Sequence, residues 1–324
     1  MLTRKLGRTG LDVSALCLGG NVFGWTIDEE TSFAVLDAYF EGGGTFIDTA
    51  DVYSTWVPDH VGGESETILG RWMSTRGNRE RIIMVTKVGS QMGTAPAAKG
   101  LSRRYIMEEV EASLKRLQTD YIDVYLAHRD DQETPLEETL ATFNDLVRQG
   151  KVRSIGASNY SAARLSQALQ ISTQHDYARY ESVQPPYNLV NREVYERDLE
   201  AVYREQGLGV ITYSALASGF LTGKYRSGKD MPSSPRAKGI RERYMNDKGF
   251  RVLDQLDRVA KAHNATLSQV ALAWILARPG ITAPIASATS VEQVRELLGA
   301  VTLKLTEEEM SSLDKVSAWG SNEQ

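Results

Sequence analysis

The chain has 324 residues, a formal net charge of −5, 41% hydrophobic and 24% charged side chains, an ordinary globular composition long enough for two domains or one large α/β barrel. Mild acidity argues against a nucleic-acid surface as the main function, no apolar run approaches the ~20 residues of a membrane span, and the opening MLTRKLGRTGLDVS lacks the apolar core of a secretory signal. The single cysteine, Cys17, has no intramolecular partner; this fits a reducing cytoplasm, and its apolar surroundings make it a small buried filler rather than a nucleophile.

Residues 4 to 14 read as a short hairpin turning at Arg8-Thr9-Gly10, and Val13 to Gly20 as a first strand ending in glycines. Asp28 caps a helix with Phe33, Leu36 and Phe40 at helical spacing, and Gly42-Gly43-Gly44 stops it. The stretch Thr45 to Tyr53, TFIDTADVY, follows: an apolar second strand that ends in the carboxylate of Asp48, with the phenol of Tyr53 five residues on. A helix over Glu64 to Met73 leads to the third strand, Ile82 to Lys87. Met107, Val110, Leu114 and Leu117 mark a helix, and Tyr121 to His128 is strand four. Thr134-Pro135-Leu136-Glu137 reads as a helix start, with a Thr cap and Pro at the first position; this helix carries Leu140, Phe143 and Val147 to Gly150.

Strand five is Val152 to Ser158, with a helix carrying Leu165, Ala168 and Leu169; strand six is Glu181 to Gln184, with a helix over Val194 to Gln206; strand seven is Gly209 to Ser214. A long stretch rich in Gly, Ser, Pro and basic residues fills Ala215 to Gly249. Helices over 251–263 and 268–277 precede strand eight, Ala283 to Ser287, and two capping boxes, Ser290-x-x-Gln293 and Thr306-x-x-Glu309, open the last helices.

Eight strand-then-helix units without a domain-like linker imply one parallel sheet covered by helices, residues 1–324 forming a single domain. That count points to a closed (β/α)₈ barrel with an N-terminal hairpin and extra C-terminal helices rather than an open doubly wound sheet. No G-x-G-x-x-G follows strand one, and Gly219-Phe-Leu-Thr-Gly223-Lys224-Tyr225 falls short of a P-loop by one residue, with Tyr in place of the magnesium-binding hydroxyl.

A barrel collects its chemistry at the C-terminal rim of its strands. The strand ends supply Asp48 with Tyr53, Lys87, His128, Ser158-Asn159, Gln184, Tyr213-Ser214 and Ser287. Singly, each has a bland explanation: a turn-forming Asp, a solvated Lys, a hydrogen-bonded core His. Together they are complementary. A phenol with an ordinary pKa of ~10 is a poor acid near neutrality; an ammonium at Lys87 is expected to lower it, with Asp48 as the counter-charge. His128 is placed to hold a carbonyl oxygen as charge develops on it. No metal-ligand pattern accompanies them.

FIDTADVY, Lys87, YLAH ending in His128, IGASN, VQPPYN and GFLTGKY, in this order over essentially the whole chain, resemble the aldo-keto reductase superfamily. The resemblance implies a (β/α)₈ barrel that binds a nicotinamide cofactor without a Rossmann motif, with Asp48, Tyr53, Lys87 and His128 as the catalytic tetrad and Tyr53 as general acid. It further implies that Ser158, Asn159 and Gln184 bind the carboxamide and that Tyr213 stacks on the nicotinamide. Ser214, Leu216, Gly219 and Lys224 would hold the pyrophosphate, and Ser287, Thr289 and Gln293 the adenosine ribose; Gly20 and Asn21 join the cofactor set.

Many members place a lysine or arginine near the ribose to grip the extra phosphate of NADP; this chain has Ser287, Thr289 and Gln293, and Leu297 where Asn is common. NADP(H) is expected as the commoner family cofactor, with NAD(H) open. Phe23, Trp25 and Trp56 are candidates for an aromatic wall around a small carbonyl substrate, and Arg129 for meeting a polar or anionic one. The motifs and the 215–249 insertion resemble a bacterial-type member related to potassium-channel β subunits. Two rivals stay open: a nicotinamide-binding redox sensor with little turnover, and a Schiff-base aldolase using Lys87.

Overall fold

The computed structural model describes residues 1–93, 98–226, 234 and 236–320. Eight short strands, buried along nearly their whole length, close into a barrel: β3 (Cys17–Gly19), β4 (Phe46–Asp48), β5 (Ile83–Val88), β6 (Ile122–Ala127), β7 (Val152–Ser158), β8 (Tyr180–Gln184), β9 (Gly209–Thr212) and β10 (Ile281–Ala286). All eight ladders are parallel, and β10 returns to β3 to complete the circle. Parallel strands need covered faces, which is why they read as continuous apolar runs. The register sets Asp48 opposite Val85, Lys87 opposite Leu126 and Ser158 opposite Gln184, so the chemistry-bearing side chains reach one rim together.

The hairpin β1 (Thr3–Lys5) and β2 (Asp12–Ser14) closes the opposite end. Its Leu6, Leu11 and Val13 pack with Cys17, Phe46, Val85, Val124, Leu126 and Ile211 in the barrel interior. Gly7, at φ +52°, lies so close to the Glu181 carbonyl and the Gly209 amide that a Cβ there would collide with both. The expected strand Val13 to Gly20 is therefore two elements: Ser14 ends the hairpin, and the barrel strand starts at Cys17.

Helices α1 (Glu29–Glu41), α2 (Glu64–Arg76), α3 (Arg103–Leu117), α4 (Leu136–Arg148), α5 (Ala162–His175), α6 (Glu200–Glu205) and α9 (Leu267–Leu276) pack their apolar faces on the outside of the barrel. Asp28 caps α1 as expected, accepting from the Thr31 amide at 2.9 Å. Thr134 does not cap α4: its hydroxyl donates to Asp131 at 2.7 Å, and Pro135, with ψ 129°, stands outside the helix as its cap. The helix expected over Val194 to Gln206 opens with a π-helical turn, Tyr195–Leu199, before α6.

The stretch from Ala215 to Gly249 is more structured than its composition suggests. A 3-10 segment spans Ala217–Thr222, α7 covers Ala237–Tyr244 and α8 runs Asp247–His263; residues 227–233 and 235 of that stretch lie outside the described residues. After β10 come α10 (Val291–Gly299) and α11 (Glu307–Val316). The capping box at Thr306 forms, whereas at Ser290 only the cap forms, because the Gln293 side chain accepts from Thr289 instead. Thr266-x-x-Gln269 supplies a further capping box, which opens α9. Among the described residues no helix is long and apolar enough to cross a membrane.

Candidate active site

At the end of β4 the chain turns into a loop that brings Tyr53 back over the strand end. Lys87, fully buried near the end of β5, donates to Asp48 Oδ2 at 2.8 Å, to the Thr49 carbonyl at 2.7 Å and to Tyr53 Oη at 2.9 Å. The phenol in turn donates to Asp48 Oδ2 at 3.2 Å, and Gln184 Nε2 donates to the other carboxylate oxygen at 2.7 Å. Asp48 therefore answers one buried ammonium with one carboxylate and satisfies both oxygens, the condition under which a buried pair is tolerable. The three hydrogen bonds of the Lys87 ammonium, and its position behind Tyr53 rather than on the cleft, argue against a free amine poised for a Schiff base.

The ionisation of the site differs from the sequence expectation. Burial pushes the Tyr53 phenol well above its ordinary pKa, and the charge of Asp48 and its hydrogen bond push it further the same way. The phenol is thus a proton carrier across the neutral range, with Lys87 at hand for the charge that appears when the proton leaves. His128, just past β6, packs edge-on to Tyr53 with ring centroids 6.2 Å apart. Burial, then Lys87 and Arg129, hold its pKa well below the usual imidazole value, so the ring is neutral. Its Nδ1 is buried without a hydrogen-bond partner among the described residues.

These groups open on a cleft of about 820 Å³ across the C-terminal rim. Its inner end is lined by Asp48, Tyr53, His128, Arg129, Ser158, Asn159, Gln184 and Tyr213. They are already joined to one another: the Ser158 hydroxyl donates to the Gln184 carbonyl at 2.8 Å, the Asn159 amide donates to the His128 carbonyl at 2.9 Å, and Tyr213 Oη donates to Asn159 Oδ1 at 2.8 Å. Asn159 sits in the left-handed region at φ 58°, a conformation its short side chain tolerates.

From there the cleft runs past Ser214, Leu216, Gly219 and Lys224 to Ser287, Thr289 and Gln293. Ser214, Ala217, Ser218 and Gly219 all have positive φ, which turns the backbone sharply along the cleft wall. Asn188, fully buried in the VQPPYN segment, holds this bend by donating to the Ser214 carbonyl at 2.9 Å. At the far end Ser287 donates to Asn21 at 2.8 Å, and the Thr289 amide donates to the Gln293 side chain at 2.9 Å.

Not every expected residue belongs to the cleft. Gly20 sits one step behind it, its amide donating to the Asp48 carbonyl at 2.7 Å. Phe23 is corrected outright: it is fully buried in the core and has no surface to offer a substrate. Trp25 and Trp56 meet edge to face at 5.2 Å, with Trp56 6.1 Å from the Tyr53 ring, but neither lines the cleft itself. The residue that sequence reasoning missed is Arg236, which lines the cleft and lies over the Trp25 ring at 5.2 Å. It belongs to the basic 215–249 stretch, where no periodicity singled out one cation from its neighbours.

Residues 15–318 match the family model described as the aldo/keto reductase family. The chain is 36% identical to an uncharacterized oxidoreductase, YrpG, of Bacillus subtilis over 96% of its own length and 94% of that protein. It is also 36% identical to a putative voltage-gated potassium channel subunit beta of Schizosaccharomyces pombe, covering 97% and 92% of the two chains. A probable channel subunit beta of Oryza sativa is 35% identical, over 93% and 91%.

Proposed function

The chain belongs to the aldo/keto reductase family, a family of nicotinamide-dependent oxidoreductases, and from that premise we propose that it reduces aldehydes or ketones to alcohols with Tyr53 as the general acid. The observation that carries the reading is the phenol of Tyr53, hydrogen-bonded to a fully buried ammonium at 2.9 Å while facing the cleft beside a neutral imidazole. The residues present fit a nicotinamide dinucleotide. Ser158, Asn159 and Gln184 offer amide and hydroxyl groups at the inner end, Tyr213 offers a ring face, and Lys224 and Arg236 offer cations along the middle.

Bound there, the cofactor supplies hydride to the carbonyl carbon. His128, as a neutral donor, orients the carbonyl oxygen towards Tyr53. As that oxygen gains negative charge it becomes a stronger base than a phenolate, and Tyr53 transfers its proton downhill. Lys87 stabilises the phenolate left behind, and Asp48 keeps Lys87 charged and aimed.

For the cofactor, the far end of the cleft supports NADP(H) through hydroxyls and the Gln293 amide, without strong rejection of NAD(H). The single buried thiol of Cys17 suits a cytoplasmic setting. The names of two relatives favour a second reading, a nicotinamide-binding regulatory subunit with little turnover. Consumption of NADPH and NADH against aldehydes, dicarbonyls, sugars and cyclic ketones separates the two. Multiple turnover with either cofactor supports the reductase; tight cofactor binding with no turnover on any carbonyl moves the second reading ahead.

A further inference from the structure

The chain is acidic overall, at −5, yet its cleft is not. Apart from Asp48, which Lys87 answers, the charged side chains lining it are Arg129, Lys224, Arg236 and one carboxylate, Glu296. Glu296 lies at the far end, where it accepts from the Thr266 hydroxyl at 2.8 Å. Lys224 and Arg236 stand by the bent segment after β9, Lys224 next to Gly219 and Arg236 over Trp25. Arg129 is different. It is exposed, directly follows His128, and forms no ion pair among the described residues. Its charge bears on both His128 and Tyr213.

The rings around the reacting phenol form a chain. Trp25 meets Trp56 at 5.2 Å, Trp56 meets Tyr53 at 6.1 Å, and Tyr53 meets His128 at 6.2 Å. This row of rings ends, at His128, beside a guanidinium with no ion pair among the described residues. An arginine with no ion pair among the described residues, set in a concave site with low-dielectric walls, concentrates anions locally even though the chain as a whole is acidic. The planar fork of the guanidinium suits paired oxygens, as on a carboxylate or a phosphate.

We propose that the carbonyl compounds reduced at this site carry an anionic oxygen group a few atoms from the carbonyl, and that Arg129 holds it as the specificity-determining residue. The assignment rests on the reductase reading above and adds a substrate class to it. A neutral carbonyl compound meets the same acid and the same row of rings but leaves the guanidinium unanswered.

The test compares 4-carboxybenzaldehyde with its methyl ester, using the full chain and the nicotinamide cofactor that supports turnover. A third substrate, 4-formylphenyl phosphate, separates phosphate from carboxylate. The expected result is a kcat/KM for one or both anions at least about tenfold above that for the ester, carried by KM. Arg129→Gln should collapse that ratio towards one, and Arg129→Lys should keep part of it. Equal kcat/KM for the anions and the ester, or an equal loss on all three in Arg129→Gln, overturns the assignment and leaves the reductase reading standing. Calorimetric binding of 4-(hydroxymethyl)benzoate to the protein with oxidised cofactor reads the same contact without turnover. Weakening by about tenfold in Arg129→Gln supports the anion site even if no aldehyde is reduced, in which case the reductase reading alone fails. Unchanged binding overturns the anion site.

Discussion

Two carboxylates three residues apart, Asp48 at the end of β4 and Asp51 in the loop that follows, are both buried, and their surroundings could hardly differ more. Asp48 is 2% exposed and accepts from Lys87 and Tyr53 on one oxygen and from Gln184 on the other. Asp51 is fully buried; one oxygen accepts from the Val52 amide at 2.6 Å, and the other has no hydrogen-bond partner among the described residues. Around Asp51 lie Glu66, which accepts from the Thr86 hydroxyl and from Arg116, and Glu109, which also takes Arg116. The phenols of Tyr105 and Tyr125, whose ionisation Asp51 opposes, are likewise buried without hydrogen-bond partners among the described residues. Burial first, then the charges of Glu66 and Glu109, push the Asp51 carboxyl well above the usual range. Burial alone therefore does not make a carboxylate chemically useful. A full set of donors and one open side do, and only the Asp48 cluster has both.

The sharpest way to break this comparison is to remove the proton on the open side. Tyr53→Phe should cost carbonyl reduction about 10²–10⁴-fold in kcat while cofactor affinity holds; unchanged turnover takes Tyr53 out of the acid role. The raised phenol pKa sets the pH dependence of the parent enzyme. Because Tyr53 stays protonated through the neutral range, reduction should be flat from about pH 6 to 9, while alcohol oxidation, which needs the phenolate, should climb with pH. A reduction rate that falls through neutrality would mean that the bound complex lowers the phenol strongly.

The next test breaks the balanced pair. Lys87→Met strands the Asp48 carboxylate in the core and should cost roughly 3–5 kcal/mol of stability, read by urea unfolding. Asp48→Asn strands the ammonium at similar cost. The double variant should be more stable than the sum of the two losses, because neither charge is then left alone. Simple additivity would show that the two groups do not act as a pair.

Asp51→Asn asks the opposite question of the unbalanced cluster, and the sign reverses. A carboxyl whose folded pKa lies above its unfolded value of ~3.9 carries no penalty below that pH and a growing one as pH rises towards the folded value. Replacing it with a neutral amide should therefore raise stability by roughly 1 kcal/mol near pH 7, with the gain fading as pH falls to about 4. Destabilisation at both pH values would mean that Asp51 makes a contact that the amide cannot replace.

Much of the architecture was legible because parallel strands are buried on both faces and announce themselves as apolar runs. Phe46-Ile47 and Ile83 to Val85 are examples, and reading their ends sufficed to collect Asp48, Lys87 and His128 at one rim. What was not legible depended on contacts distant in sequence. Ser14 ends a hairpin within one continuous apolar run, and only the fit of Leu6 and Leu11 into the barrel floor shows where the break falls. Phe23 looked like a wall residue because loops after strands usually face the site, but it turns inward to the core. The rise in the Tyr53 pKa followed from the depth of burial, which a strand-end motif does not report. Arg236 was one basic residue among several until α7 placed it over Trp25.

The smallest expected effect concerns the far end of the same cleft, which contrasts with the inner end in its lack of cations. There the lining side chains include Thr266, Ser268, Ser287, Thr289, Gln293, Glu296 and Leu297, with no lysine or arginine among the described residues. An added phosphate on the ribose finds hydroxyl and amide donors but no charge-assisted contact, the stronger kind of hydrogen bond. Selectivity between NADPH and NADH should therefore stay below about tenfold in kcat/KM, since one neutral hydrogen bond contributes only about 0.5–1.5 kcal/mol. Gln293→Arg supplies the missing charge at the start of α10 and should shift the ratio towards NADPH, mostly through KM. A parent enzyme already selective by a hundredfold would place the phosphate elsewhere, with Arg236 the first residue to substitute.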